Sequence, residues 1–292
     1  MTVASFEDIK LNIPADQAGQ RLDTALAAVS VLSRRRLQRA IDEGGVYINK
    51  KRCRKAGRIL MGGESARIVL LDGEELVPFS PEQIIWQHAS WVLVHKKSGQ
   101  YAQEALHRSK GTLPYELSMS INLTPVQVKL LRPVHRLDKG TSGLMMFCFD
   151  PLALQRLQQY WKTAVKKEYL AVVSPVPDWT ELRISSPLSA TCDRLGRYHV
   201  DPKGKASETD AYVVETRGDK ALLRLVPHTG RTHQLRVHLS STGFPIVGDS
   251  RYGGAKAKRL MLHARALSIE AFAMRLTEQQ TWQVEPEDDW TW

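Results

Sequence analysis

The chain has 292 residues, enough for one large domain or for a small module joined to a larger one. Hydrophobic residues make up 42% of it, which excludes wholesale disorder, and no uninterrupted apolar run is long enough to span a membrane. Lys and Arg number 41 against 31 Asp and Glu, and the resulting net charge of +10 points to a polyanionic partner, most often nucleic acid. The three cysteines, Cys53, Cys148 and Cys192, include no C-x-x-C pair, so neither a disulfide framework nor a zinc ribbon is supported. They read as reduced, buried thiols of a cytoplasmic protein. Met1 to Leu11 carries Glu7 and Asp8 and no apolar core, unlike a signal peptide.

After an N-terminal extension over residues 1–18, residues 19–72 behave as a separate unit. Leu22, Ala25 and Val29 fall at helical spacing. A second helix is predicted from an N-cap at Ser33 through Arg34-Arg35-Arg36-Leu37-Gln38-Arg39-Ala40-Ile41-Asp42-Glu43, ended by Gly44-Gly45. Val46-Tyr47-Ile48 reads as a strand, Asn49-Lys50 as a turn, and 66–71 as another strand. Three arginines in the first turn of the second helix oppose the macrodipole, which favours anions there. Lys50, Lys51 and Arg52 follow closely. A phosphate backbone would relieve this repulsion, so Arg34, Arg35, Arg39, Lys50, Lys51 and Arg52 are candidate RNA contacts. The plainer alternative is a solvated basic face. With Arg21-Leu22-Asp23, the step Gly45-Val46-Tyr47-Ile48-Asn49 and Gly63, this stretch resembles the S4 RNA-binding module.

Residues 73–89, with Pro78, Pro81 and mixed acids, read as a linker, and Trp91-Val92-Leu93-Val94 opens a larger domain, 90–292, as a buried strand. Further strands are predicted at 143–149, 168–173, 209–215 and 221–226, the last two forming a hairpin through Arg217-Gly218-Asp219. Asp150-Pro151 caps a helix bearing Leu154, Leu157, Trp161 and Ala164 on one face, and 232–242 reads as a helix ended by Gly243. Strict βαβ alternation is absent. The expected class is therefore α+β: a mixed, largely antiparallel sheet with flanking helices, preceded by the small S4-like α/β module.

Three clusters could carry chemistry. Arg132-Pro133-Val134-His135-Arg136-Leu137-Asp138-Lys139-Gly140-Thr141-Ser142-Gly143 is a polar, glycine-punctuated loop feeding an apolar strand, the kind of support that holds reactive groups firmly. Arg136 and Lys139 flank Asp138, and nearby cations favour the ionised form that a nucleophile requires. On residue types alone, an Asx turn is the favoured account of Asp138. In Pro227-His228-Thr229-Gly230-Arg231-Thr232-His233-Gln234-Leu235-Arg236-Val237-His238, His233 and His238 are five apart, which on a helix separates them by about 140° rather than stacking them. No acid falls between them, so a metal is not expected. Arg231, placed at the mouth of the predicted helix, is suited to a carboxylate or phosphate partner. Third, Tyr169 in Lys166-Lys167-Glu168-Tyr169-Leu170-Ala171-Val172-Val173 can stack on a base, although a core tyrosine is the commoner case for a lone tyrosine.

Taken together and in order, His135-Arg136-Leu137-Asp138 with Thr141-Ser142-Gly143, then Tyr169-Leu170-Ala171, then Gly230 to His238, then Gly248-Asp249, Tyr252-Gly253 and Leu262-His263-Ala264, resemble the RluA-type pseudouridine synthases. The likeness spans about residues 90–270. It implies an enzyme that isomerises uridine to pseudouridine in structured RNA without a cofactor, a task for which a monomer suffices. It makes Asp138 the nucleophile, Tyr169 the residue stacked on the base and active in later proton transfer, and Arg231 the partner that aims Asp138. Arg136 joins the RNA contacts. Large-subunit ribosomal RNA is the first expectation for the substrate and tRNA the second. A catalytically silent RNA-binding protein of the same fold is the rival. Two departures from the family pattern bear on loop geometry. His95-Lys96-Lys97-Ser98-Gly99 lacks the proline of the usual Asn-Lys-Pro-x-Gly, and Lys139-Gly140 replaces the commoner Arg-Asp.

Overall fold

A computed structural model describes residues 5–292, and the first four residues of the expected N-terminal extension lie outside that range. The chain divides into two compact units, residues 1–79 with 100–122 and residues 80–99 with 123–292.

In the first unit β1 (Ser5–Asn12), α1 (Leu22–Val29), α2 (Arg34–Glu43), β2 (Val46–Ile48), β3 (Lys51–Arg52) and β4 (Ser65–Asp72) build a four-stranded sheet of order β1-β4-β2-β3 against two helices. Ser33 caps α2 by accepting from the Arg36 amide, and Gly44 closes it in the left-handed region. Leu22, Leu26, Leu37, Ile41, Ile48 and Ile68 form its core. Two expectations change here. Residues 5–12 of the anticipated N-terminal extension form β1, paired with β4 along its whole length. Residues 100–122, expected within the larger domain, belong to this unit and include α3 (Leu113–Ser120). The Tyr47 hydroxyl donates to the Leu106 carbonyl, and the Ser109 amide donates to the Glu43 carbonyl.

The second unit is α+β, as expected. Its strands are β5 (Ile84–His88), β6 (Trp91–Lys96), β7 (Arg132–Pro133), β8 (Ser142–Cys148), β9 (Val165–Val173), β10 (Glu181–Ile184), β11 (Thr209–Arg217), β12 (Lys220–Pro227), β13 (Leu262–Ile269) and β14 (Gln280–Gln283). They form one sheet of main order β10-β11-β12-β9-β13-β8-β6-β5, with β14 on β13 and β7 on β8. Every pairing is antiparallel except β8 with β13. The helices are α4 (Pro125–Leu130), α5 (Pro151–Ala164), α6 (Gln234–Ser241) and α7 (Ala271–Met274). The Asp150 carboxylate accepts from the amides of Leu152 and Ala153, so the predicted cap of α5 forms. Leu157 and Ala164 on α5 join Trp91, Leu93, Leu144, Met146 and Leu267 in the core. The expected linker contains β5, where Trp86 packs against Trp282. Cys192 is exposed, unlike the buried Cys53 and Cys148 and contrary to expectation, because it lies in the polar turn region between β10 and β11. Among the described residues no helix is long and apolar enough to cross a membrane.

Sheet register prepares the site. Tyr169 on β9 lies opposite Ala264 on β13, and Ala264 lies opposite Gly143 on β8. The Asp138 loop enters β8 at that level. Gly143 adopts φ +112°, and a Cβ there would come 2.2 Å from the Ala264 carbonyl oxygen, so glycine permits the parallel pairing.

Candidate active site

A cavity of about 490 Å³ gathers residues from all three sequence clusters, among them Arg136, Asp138, Lys167, Tyr169, Arg231 and Arg236. The loop carrying Asp138 is fixed from beneath by Lys96. This side chain is fully buried, and its ammonium donates to the carbonyls of Lys97, Lys139 and Thr141. Burial pulls Lys96 down to about 7, against the opposing attraction of Asp138 and Glu287. Ser98 adds a hydrogen bond from its hydroxyl to the Gly140 carbonyl. The departures from the family pattern thus leave the support of the loop in place, with Lys97 and Gly140 offering backbone carbonyls.

The cation facing Asp138 is Arg236, in the first turn of α6. Its Nη1 donates to Asp138 Oδ2 at 2.9 Å, while Nε and Nη2 grip both oxygens of Asp249 at 2.7 and 2.8 Å. This bidentate grip fixes the plane of the guanidinium, so one N–H is left aimed at Asp138. Burial opposes the arginine charge, but the two carboxylates outweigh it and raise Arg236 above its ordinary value. Asp249 is delivered by Gly248, which sits at φ +83° with the Arg259 carbonyl so close that no Cβ fits.

The expected role of Arg231 as partner of Asp138 is therefore corrected. Arg231 lines the cavity, but it is exposed and its Nε donates to the Ala206 carbonyl at 3.1 Å. The cause lies in the start of the helix. His233 takes a left-handed conformation, φ +57°, and α6 begins only at Gln234. Arg231 is thus left in the preceding loop, while Arg236 turns inward. Spacing within an assumed helix from residue 232 concealed this. The signal available was Gly248-Asp249, an acid able to anchor a second arginine.

Tyr169 is buried in the cavity wall, and burial together with the Asp138 charge pushes its phenol above the usual tyrosine value, so it rests as a neutral hydroxyl. The histidines have separate tasks. His135 Nε2 accepts from the Met146 amide, and burial lowers its imidazole to about 3. His233 Nδ1 meets the Tyr252 hydroxyl at 2.7 Å, and its Nε2 lies 3.6 Å from Asp138. His238 bonds Thr209 and the Ser186 carbonyl, and His228 pairs with Asp210.

One other trio, His95, His263 and Glu287, offers ligand atoms within 4.8 Å of one another. Its chemistry suits a metal poorly. Both His263 nitrogens are engaged, by Ser142 and the Val284 carbonyl, and Glu287 pairs with Arg259 at 2.7 Å.

The expected RNA contacts fall into two groups. Arg34 pairs with the fully buried Asp23, and Arg39 pairs with Asp72, which Arg36 also holds together with Glu7. Arg52 turns inward to the carbonyls of Gly44 and Ala105. The repulsion expected at the start of α2 is thus relieved inside the fold, by carboxylates that the sequence places far from it. Arg35, Lys50, Lys51 and, in the second unit, Arg136 are exposed, and among the described residues they have no ion-pair partner.

Comparison with known proteins agrees with this geometry. Residues 90–241 match the family model described as RNA pseudouridylate synthase, and residues 20–65 match the S4 domain. The ribosomal large subunit pseudouridine synthase C of Vibrio parahaemolyticus is 31% identical over 283 residues, covering 89% of this chain and 88% of that protein. Its counterpart from Escherichia coli K12 is 30% identical over 282 residues, covering 88% and 87%. Among solved structures, human RNA pseudouridylate synthase domain containing 1 superposes with a TM-score of 0.58 at 28% identity, covering 72% of this chain and 86% of that one. With an S4 domain ahead of a sheet that brings the Asp138 loop, Tyr169 and Arg236 into one cavity, this chain belongs to the RNA pseudouridylate synthase family.

Proposed function

We propose that this enzyme converts uridine to pseudouridine in large-subunit ribosomal RNA, with Asp138 as its nucleophile. The observation that carries the reading is the Asp249–Arg236–Asp138 relay, which holds a carboxylate at a cavity wall beside a buried tyrosine.

A uridine must leave its stack to reach such a cavity, and the exposed basic residues at the rim, Arg136 among them, offset the unstacking by holding phosphates. Isomerisation then breaks the N1–C1′ bond, turns the uracil and joins C5 to C1′. Asp138 assists by attack at C1′, by attack on the ring, or by removing a sugar proton. Arg236 Nη1 aims the carboxylate in each case. Tyr169 stacks on the base. Burial and the charge of Asp138 keep its phenol protonated, so it must give up its own proton before it can take the one on C5. The relatives named as ribosomal large subunit enzymes favour that substrate. Mapping pseudouridine in ribosomal RNA and tRNA from cells lacking the protein tests it. The reading requires at least one ribosomal position to revert to uridine, and loss confined to tRNA refutes it.

A further inference from the structure

Lys167 and Tyr169 are two residues apart on β9, so they project from the same face, and both line the cavity of Asp138. Among the described residues no carboxylate or carbonyl accepts from the Lys167 ammonium. Its neighbour is the Trp161 ring, whose centroid lies 5.8 Å from Nζ. A Cβ built on Gly230 would lie 3.8 Å from the same atom. Burial holds the ammonium below the ordinary lysine value. A cation taken out of water without an anion beside it costs stability, and such a local fault in a cavity wall marks a binding function.

The chemistry of the reaction supplies the missing anion. When the N1–C1′ bond breaks, its electron pair leaves with the base, and the charge spreads over N1, O2 and O4. If Asp138 instead adds to C6, the C5=C6 pair shifts to form an enolate at O4. If a sugar proton is taken to give a glycal, the uracil again departs as an anion. Every route therefore places negative charge on a ring oxygen. We propose that Lys167 contacts O2 or O4 of the bound uracil and stabilises this charge as it develops. Phosphates fall to the exposed Arg136, Lys162 and Arg231 at the rim, whereas Lys167 sits inward of them beside the tyrosine. The inference rests on the reading that uridine enters this cavity.

The test compares wild type, Lys167→Met and Lys167→Gln in three measurements: single-turnover pseudouridine formation, RNA affinity by filter binding, and thermal unfolding. Lys167→Met should slow the chemical step about 100-fold, leave the RNA Kd within about twofold, and unfold at the same or a higher temperature. Lys167→Gln, which keeps a donor without the charge, should fall between. Rates equal to wild type in either variant overturn the proposal. So does a loss of rate matched by a weaker Kd, which would make Lys167 a phosphate contact, or a lowered unfolding temperature in both variants, which would make it structural. An inactive wild type would instead refute the underlying functional reading.

Discussion

Replacing Arg236 by Met should both destabilise the fold and disarm the site, and the two effects can be separated. Asp249 is 1% exposed and Arg236 10% exposed, so truncation leaves a buried carboxylate with no cation. Breaking such a pair by removing one partner costs about 3–5 kcal/mol. The Asp138 arm, whose carboxylate is 20% exposed, adds less. Against a total of about 5–15 kcal/mol for a domain, the variant should fold at low temperature with a much lower urea midpoint. Activity should fall about 100-fold, because loss of the aiming N–H lets the Asp138 carboxylate wander by about an ångström. Arg236→Lys retains a charge but cannot hold two carboxylates at once, so it should recover much of the stability and little of the activity. Arg231→Met removes only an exposed bond to a carbonyl and should stay within about 0.5 kcal/mol of wild type. Activity is read as tritium released from RNA labelled at uridine C5, which loses its hydrogen when C5 takes the sugar. A near-normal Arg236→Met beside an inactive Arg231→Met would refute the assignment.

Further outcomes follow from the same geometry. Tyr169→Phe keeps the ring, so RNA binding should persist while tritium release falls. Alanine at Arg35, Lys50 and Lys51 together should weaken RNA binding and flatten its dependence on log salt by about 0.7–0.9 for each phosphate that is no longer neutralised, whereas alanine at Arg34 or Arg39 should chiefly lower stability, as urea titration would reveal. His263 is buried, and its imidazole is held down to about 4 by that burial, so the unfolded chain binds the extra proton first as pH falls below 6.5. The stabilisation is complete above 6.5 and declines by about 1.4 kcal/mol per pH unit towards 4. Unfolding free energies of His263→Gln across this range should show a shallower slope than wild type.

The sequence disclosed what local chemistry determines. The Ser33 cap, the Gly44 stop, the Asp150-Pro151 helix start and the hairpin of β11 and β12 all formed where propensity and turn residues placed them. What stayed hidden depended on contacts distant in sequence. Asp23, Asp72 and Glu7 neutralise α2 from three separate elements, so a basic helix start looked freer than it is. Residues 100–122 contribute to the first unit through bonds such as Arg52 to the Ala105 carbonyl, which no periodicity announces. The choice between Arg231 and Arg236 turned on one left-handed residue, His233, in a conformation its residue type does not dictate. Lys167 went unnoticed because an unpartnered lysine can be recognised only once its surroundings are known.

Asp138→Asn tests the central claim most directly. The amide retains nearly the same shape and can still accept from Arg236 Nη1, while losing the charge and one of the two carboxylate oxygens. Pseudouridine formation and RNA affinity, measured together, should show isomerisation abolished and the Kd near normal. A variant that modifies RNA at the wild-type rate would contradict the account.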